Sequence, residues 1–392
     1  MTAETARMFK ALEAQAQGLM AIFMAAGYEA VAPAVIQPAD VFLDVVGESL
    51  RARTYVFTDP DGQELCLRPD LTVPTCRLHL ERHGEASVAA RYCYNGPAFR
   101  FQPAGAGTAH PREFRQAGIE SFGDAARESA DAEVVGLILR ALDASGLQRQ
   151  ILRIGDLGLF QAVLDALDMP ERWRGRLRQH FWRPDAFRAE LQRLTADPAD
   201  AIRDLSSELM ARLDPARLDS SDAVVARHLE TLGLELIGSR SLREITMGLI
   251  AAAEDARARP LPAGAAELIE AYLQVRAPAP SVPDTVQALV ARHGIDIDAA
   301  LGTYQRRLDL MDAAGAATND VEFSAEFGRS LEYYSGLVFE VLTPGLGPRS
   351  PVAGGGRYDR LMKQVGAPSD VPAVGAMIHT ERLLSALNGG PA

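Results

Sequence analysis

The chain has 392 residues, 47% of them hydrophobic and 23% charged, with a formal net charge of -12. That length supports two or three domains around a large core, and an acidic surface with lysine only at positions 10 and 363 disfavours nucleic acid as the main partner. Cys66, Cys76 and Cys93 form no CxxC pair, which argues against a disulfide framework or zinc site. The polar N-terminus and the shortness of the apolar run from Gly18 to Gly27 point to the cytoplasm.

Met8, Leu12, Leu19, Ile22 and Phe23 recur at helical spacing and Gly27 follows as a C-cap, so residues 3–26 are predicted to be helical. After Pro33 and Pro38 comes a hairpin, TYVFT and QELCL around the turn Asp59 to Gly62. Thr72 and Pro74 open a helix to about Arg82. Strands are predicted over VAARYCYN, PAFRFQ and EFRQAGIESFG, then a helix over Asp131 to Leu142 and a strand at QILRIG. From about Leu159 to Ala313 helical periodicity dominates, interrupted by the proline-rich joints ARPLPAG and RAPAPSVPD. VEFSAEF, LVFEVL and PAVGAMI then restore the strand pattern. The expected organisation is an α+β core in two parts, 1–158 and 314–392, around a mainly helical insertion at 159–313.

Strand alternation in EFRQAGIESFG puts Gln116, Gly118 and Glu120 on one face, with Gln116 and Glu120 about 13 Å apart. A ligand with polar groups at both ends would fit the gap at Gly118; a bulged strand with two solvent-facing polar residues is the other reading. In GRSLEYYSGLVFE, Arg329 offers a planar fork to a carboxylate. The adjacent Tyr333 and Tyr334 either meet a ligand or pack in the core. PVAGGGRYDRL reads as a close backbone approach before a helix near Arg357, and no Walker-type lysine follows it. Arg100 could meet a phosphate or carboxylate, or form a surface salt bridge. The seven histidines show no metal-ligand spacing, and no nucleophile elbow is present, so no metal, cofactor or catalytic residue is assigned.

Six stretches occur in the order found in the catalytic domain of histidyl-tRNA synthetases: LRPDLTVPTCR, RYCYNGPAFRFQ, REFRQAGIESFG, GRSLEYYSGLVFE, AGGGRYDRL and PAVGAMIHTERLL. The chain resembles that family across residues 1–158 and 314–388. The resemblance implies a class II synthetase fold, an antiparallel sheet flanked by helices, dimerising through the first helix and the strand bearing Pro33. It also implies a histidine pocket. Asp70, standing where the family has Glu, would hold the α-amino group with Thr72 and Gln116. Glu120 and Tyr334 would read the imidazole, Arg329 the carboxylate, with Arg100 and Tyr333 beside them.

The departures point away from synthesis. Gln102 replaces a family glutamate that helps organise adenine and metal-bound triphosphate, and Met377 and His379 stand where small residues lie over adenine. No anticodon-binding domain is expected after the last motif. The chain therefore resembles the family's non-catalytic branch, the regulatory subunits of ATP phosphoribosyltransferase. That resemblance implies a hetero-oligomer, a hetero-octamer, with a short-form catalytic subunit, and control by L-histidine. A truncated enzyme that activates histidine with ATP is the alternative, and retention of Arg100 and Arg382 favours it.

Overall fold

The computed structural model describes residues 5–43, 48–102, 111–196, 209, 211–233, 241–327 and 333–389. The chain divides into two compact units, residues 1–167 with 269–392, and residues 168–268.

The larger unit is built on a nine-stranded sheet. In chain order its strands are β1 (Glu29–Ala30), β5 (Ala90–Phe99), β6 (Glu113–Phe122), β7 (Ile151–Asp156), β8 (Arg276–Pro278), β9 (Glu322–Ser324), β10 (Leu337–Leu342), β11 (Ala353–Arg357) and β12 (Ala373–His379). Across the sheet they run β1-β5-β6-β12-β11-β10-β7-β9-β8. The β1–β5 and β7–β9 pairs are parallel and the other six antiparallel, so the sheet is mixed but largely antiparallel, as expected. A small antiparallel sheet joins β2 (Ile36–Pro38), β3 (Tyr55–Thr58) and β4 (Glu64–Leu67) in the order β2-β4-β3. The expected hairpin is its β3–β4 edge.

Side chains alternate across a strand, and this divides the large sheet into two faces. On one, Arg357 of β11 meets Asp131 of the helix Arg127–Ala144, which packs against β12 and β11. The first helix, Ala6–Ala25, packs against β5 and β6 through a stripe that buries Leu12, Ala16, Leu19 and Phe23. The opposite face carries Gln116, Gly118 and Glu120. It is partly roofed by the helix Thr72–Arg82 and by a buried cluster including Val73, Cys76, Tyr92, Phe122, Tyr333, Tyr358 and Leu361.

The predicted insertion, 159–313, is wider than the second unit. The helix Leu157–Ala166 buries Leu159, Phe160 and Val163 within the larger unit. At the other end, Arg307 of the helix Asp298–Ala313 ion-pairs with Asp131 at 2.8 Å and with Asp156. The RAPAPSVPD joint contains β8, which pairs with β9 at the sheet edge; proline there made it read as a linker, and an edge strand tolerates proline. The second unit's helices include Glu171–His180, Pro184–Thr195 and Leu242–Arg257. Among these, Asp255 accepts from Trp173 Nε1, Arg172 and Arg176, each at 2.6 Å.

AGGGR was expected to precede a helix near Arg357. It is instead strand β11, paired on both sides, and the helix Leu361–Gln364 begins four residues later.

Candidate functional site

The open face of the sheet is paved with glycine. Register places Gly118 of β6 opposite Tyr94 of β5 and Met377 of β12; Met377 lies opposite Gly354 of β11. One pair along, Glu120 lies opposite Gly375, and Gly375 opposite Gly356. A β-carbon on Gly375 would fall within 2.6 Å of the Glu120 carboxyl carbon, and one on Gly356 within 3.0 Å of the Tyr334 ring. These glycines give larger side chains a floor on which to lie.

Glu120 is fully buried. Tyr94 donates its hydroxyl to Glu120 Oε1 at 2.9 Å, Tyr358 donates to Oε2, and the Thr72 hydroxyl bonds to the same carboxyl group. Burial outweighs these bonds and pushes the carboxyl group up to about 7. Burial also holds the Tyr94 and Tyr358 phenols well above their ordinary range, so both remain donors. The gap expected at Gly118 is therefore not empty: a β-carbon there would lie 2.7 Å from Tyr94 Oη, because the tyrosine ring covers it.

Asp70 lies just before the helix Thr72–Arg82, and its Oδ1 accepts from Val73 N at 3.2 Å. Burial raises its pKa, opposed first by Arg100. Asp70 Oδ2 and Gln116 Oε1 are buried acceptors without a partner. Burying an acceptor unpaired costs about 1–3 kcal/mol, so two such acceptors favour a ligand that carries donors, such as an ammonium group. Arg100, at the end of β5, donates from Nε to Pro69 O at 2.8 Å, and its guanidinium lies 5.1 Å over the Phe114 ring. Burial lowers its pKa and Asp70 raises it.

The structure thus brings Asp70, Thr72, Arg100, Gln116, Glu120 and Tyr334 to one face. Tyr333 turns into the buried cluster, its ring centroid 5.8 Å from that of Tyr358. Arg329 lies outside the described residues, as does most of the loop from Pro103 to Pro111. Sequence reasoning missed Tyr94 and Tyr358. Tyr94 had a signal in the Tyr92–Tyr94 alternation of β5; Tyr358 had none, because its segment read as a helix start.

Beyond Gly118, Met377 and His379 extend onto the same face. His379 lies opposite Gln116, and its ring centroid is 5.5 Å from that of Phe114. Arg382, in the first turn of the helix Thr380–Leu387, donates to Pro351 O at 2.9 Å. Burial, with Arg100 nearby, lowers it to about 10. No group of histidine, cysteine and carboxylate side chains suited to a metal ion occurs among the described residues. No described helix is long and apolar enough to cross a membrane.

A family model described as histidyl-tRNA synthetase matches residues 5–247 and 247–383. An ATP phosphoribosyltransferase regulatory subunit from Brucella anthropi is 36% identical over 351 residues, covering 89% of this chain and 90% of the relative. Another, from Mesorhizobium japonicum, is 35% identical over 383 residues, covering 96% and 98%. Among solved structures, an ATP phosphoribosyltransferase regulatory subunit/histidyl-tRNA synthetase from Bacillus halodurans superposes with a TM-score of 0.65 at 21% identity, over 99% of this chain and 82% of that one. A histidine–tRNA ligase subunit from Alicyclobacillus acidocaldarius gives 0.57 at 25% identity, over 99% and 96%.

The fold is the α+β core of the class II aminoacyl-tRNA synthetases, a mixed sheet flanked by helices. The chain belongs to the histidyl-tRNA synthetase-like family of ATP phosphoribosyltransferase regulatory subunits.

Proposed function

We propose that this chain is the non-catalytic regulator of an ATP phosphoribosyltransferase, a glycosyltransferase, in the first step of histidine biosynthesis. It activates a short-form catalytic subunit and carries feedback inhibition by L-histidine. The names of its relatives support the role. The histidine pocket is formed by Asp70, Thr72, Arg100, Gln116, Glu120, Arg329 and Tyr334, with Tyr333 supporting Tyr334 from the buried cluster at a ring-centroid distance of 4.9 Å, within a class II homodimer assembled with the catalytic subunit as a hetero-octamer.

The observation that carries this reading is the pairing of two unsatisfied acceptors, Asp70 Oδ2 and Gln116 Oε1, with a buried carboxylate at Glu120. The acceptors suit an α-ammonium group, and Glu120 suits an imidazole N–H. Histidine acts by binding one arrangement of the complex more tightly than another, since a ligand shifts an equilibrium only by its difference in affinity. Titration calorimetry tests the pocket. Histidine should bind the wild type, and Glu120→Ala should weaken it by about 10- to 100-fold, the worth of a hydrogen bond to a charged group. Equal affinity in both proteins removes Glu120 from the site.

Nearby Arg100 and Arg382 favour a second reading, an enzyme that activates histidine with ATP. Met377 and His379 weigh against it, because they fill the face where a purine would lie. Histidine-dependent exchange of pyrophosphate into ATP by the isolated chain would establish the enzyme.

A further inference from the structure

Arginines on this acidic chain are commonly matched to carboxylates: Arg82 with Glu29, Arg91 with Glu133, Arg153 with Glu340. Beside Arg100 at the end of β5, which bonds to Pro69 O, two further arginines are bonded differently. Arg53 donates from Nε to Phe101 O at 3.3 Å, and Arg112 donates from Nε and Nη2 to Gln102 O at 3.2 and 3.0 Å. Among the described residues their hydrogen bonds go to backbone carbonyls. The adjoining sequence 103–110, PAGAGTAH, contains no aspartate or glutamate that could neutralise them. Burial lowers the Arg53 pKa.

Between the two arginines stands Phe101, 42% exposed. The Arg112 guanidinium lies 5.4 Å from its ring centroid, and Tyr55 of β3 meets it edge-on at 6.3 Å. Phe57, two residues along β3 and so on the same face as Tyr55, is also exposed. An exposed aromatic anchor flanked by arginines is the composition that dominates binding energy at protein interfaces.

We propose that the surface formed by Arg53, Phe101 and Arg112 docks the protein partner, through a segment in which an apolar side chain is flanked by aspartate or glutamate. Charge complementarity selects that occupant. A nucleic acid held at physiological salt needs many phosphate contacts, whereas two arginines around one aromatic residue are enough for an interface hot spot. The proposal rests on the reading of this chain as a regulatory subunit, and it assigns the surface through which that partner is met.

The test uses the full chain and a purified short-form ATP phosphoribosyltransferase catalytic subunit, with binding followed by sedimentation and calorimetry at low and high salt. Wild-type affinity should fall as salt rises. Arg53→Glu with Arg112→Glu should weaken binding about 100-fold, and Phe101→Ala about 10-fold, while melting temperature and histidine affinity stay unchanged. If the wild type binds and the double variant binds as tightly, the surface assignment is overturned and the regulatory reading stands. If the wild type does not bind the subunit, the regulatory reading fails and the surface assignment falls with it. The assignment is also overturned if the double variant keeps the subunit but loses a wild-type gel shift on an RNA stem, or if it only dissociates the chain from copies of itself.

Discussion

The Glu120 carboxylate rests on Gly375 of the neighbouring strand, close enough that a single added methyl group at 375 would collide with it. The glycine on β12 therefore sets where the acid on β6 can sit. Gly375 has no positive φ, so a substitution there acts by bulk and not by backbone strain. Gly375→Ala should push Glu120 off the floor, cost about 1–3 kcal/mol as an overpacked core, and weaken histidine binding at least as much as Glu120→Ala. Denaturant unfolding and calorimetry on the same variant read both effects.

Glu120 gives stability a specific pH dependence. Unfolded, it titrates near 4.5; folded, burial moves it to about 7. Between those values the native state holds a proton that the unfolded chain has lost, so stability falls as pH rises through the window. Above it the whole cost of the buried charge, about 3 kcal/mol, remains. Glu120→Gln should lack this decline. Urea unfolding of both proteins from pH 4.5 to 8 should show their difference widening with pH and then levelling; a constant difference would contradict the placement of the acid.

The buried ion network is a second site of vulnerability. Asp131 takes Arg307 at 2.8 Å on one oxygen and Arg357 at 2.7 Å on the other, and all three are nearly inaccessible. Removing one member of such a network leaves an uncompensated charge, so Asp131→Ala should cost about 3–5 kcal/mol. Hydrogen exchange should then speed first in the helix Asp298–Ala313, which carries Arg307. Unchanged protection there would show that packing alone holds that helix.

Met377→Ala combined with His379→Gly should clear the face beyond Gly118. Expected outcomes are a gain of ATP affinity of at least tenfold, followed by fluorescence titration, and unchanged histidine affinity. If ATP binds wild type and variant alike, these two side chains do not obstruct the nucleotide.

Much of the site was legible because strand alternation is a local rule. Gln116, Gly118 and Glu120 share a face whatever else the chain does, and the first helix and the hairpin follow from periodicity and turn residues. The resemblance to histidyl-tRNA synthetases added Asp70 and Thr72, which periodicity could not connect to β6, and joined to them Arg100, already a candidate anion partner from its place in PAFRFQ. Tyr358 and Tyr94 were harder. Their importance comes from cross-strand and long-range contacts, 238 and 26 residues away from Glu120 in sequence.

The sequence by itself determined the α+β class, the order of the core elements, and the polar residues available to a ligand, since these depend on short-range spacing and residue type. Only the tertiary structure decided that three glycines form a strand, that a proline-rich joint supplies the sheet's edge, and that the second compact unit spans residues 168–268. The physical reason is the same in each case. Pairing partners and buried counter-charges, such as Asp131 for Arg307, come from distant parts of the chain, and they override what a short segment would do alone.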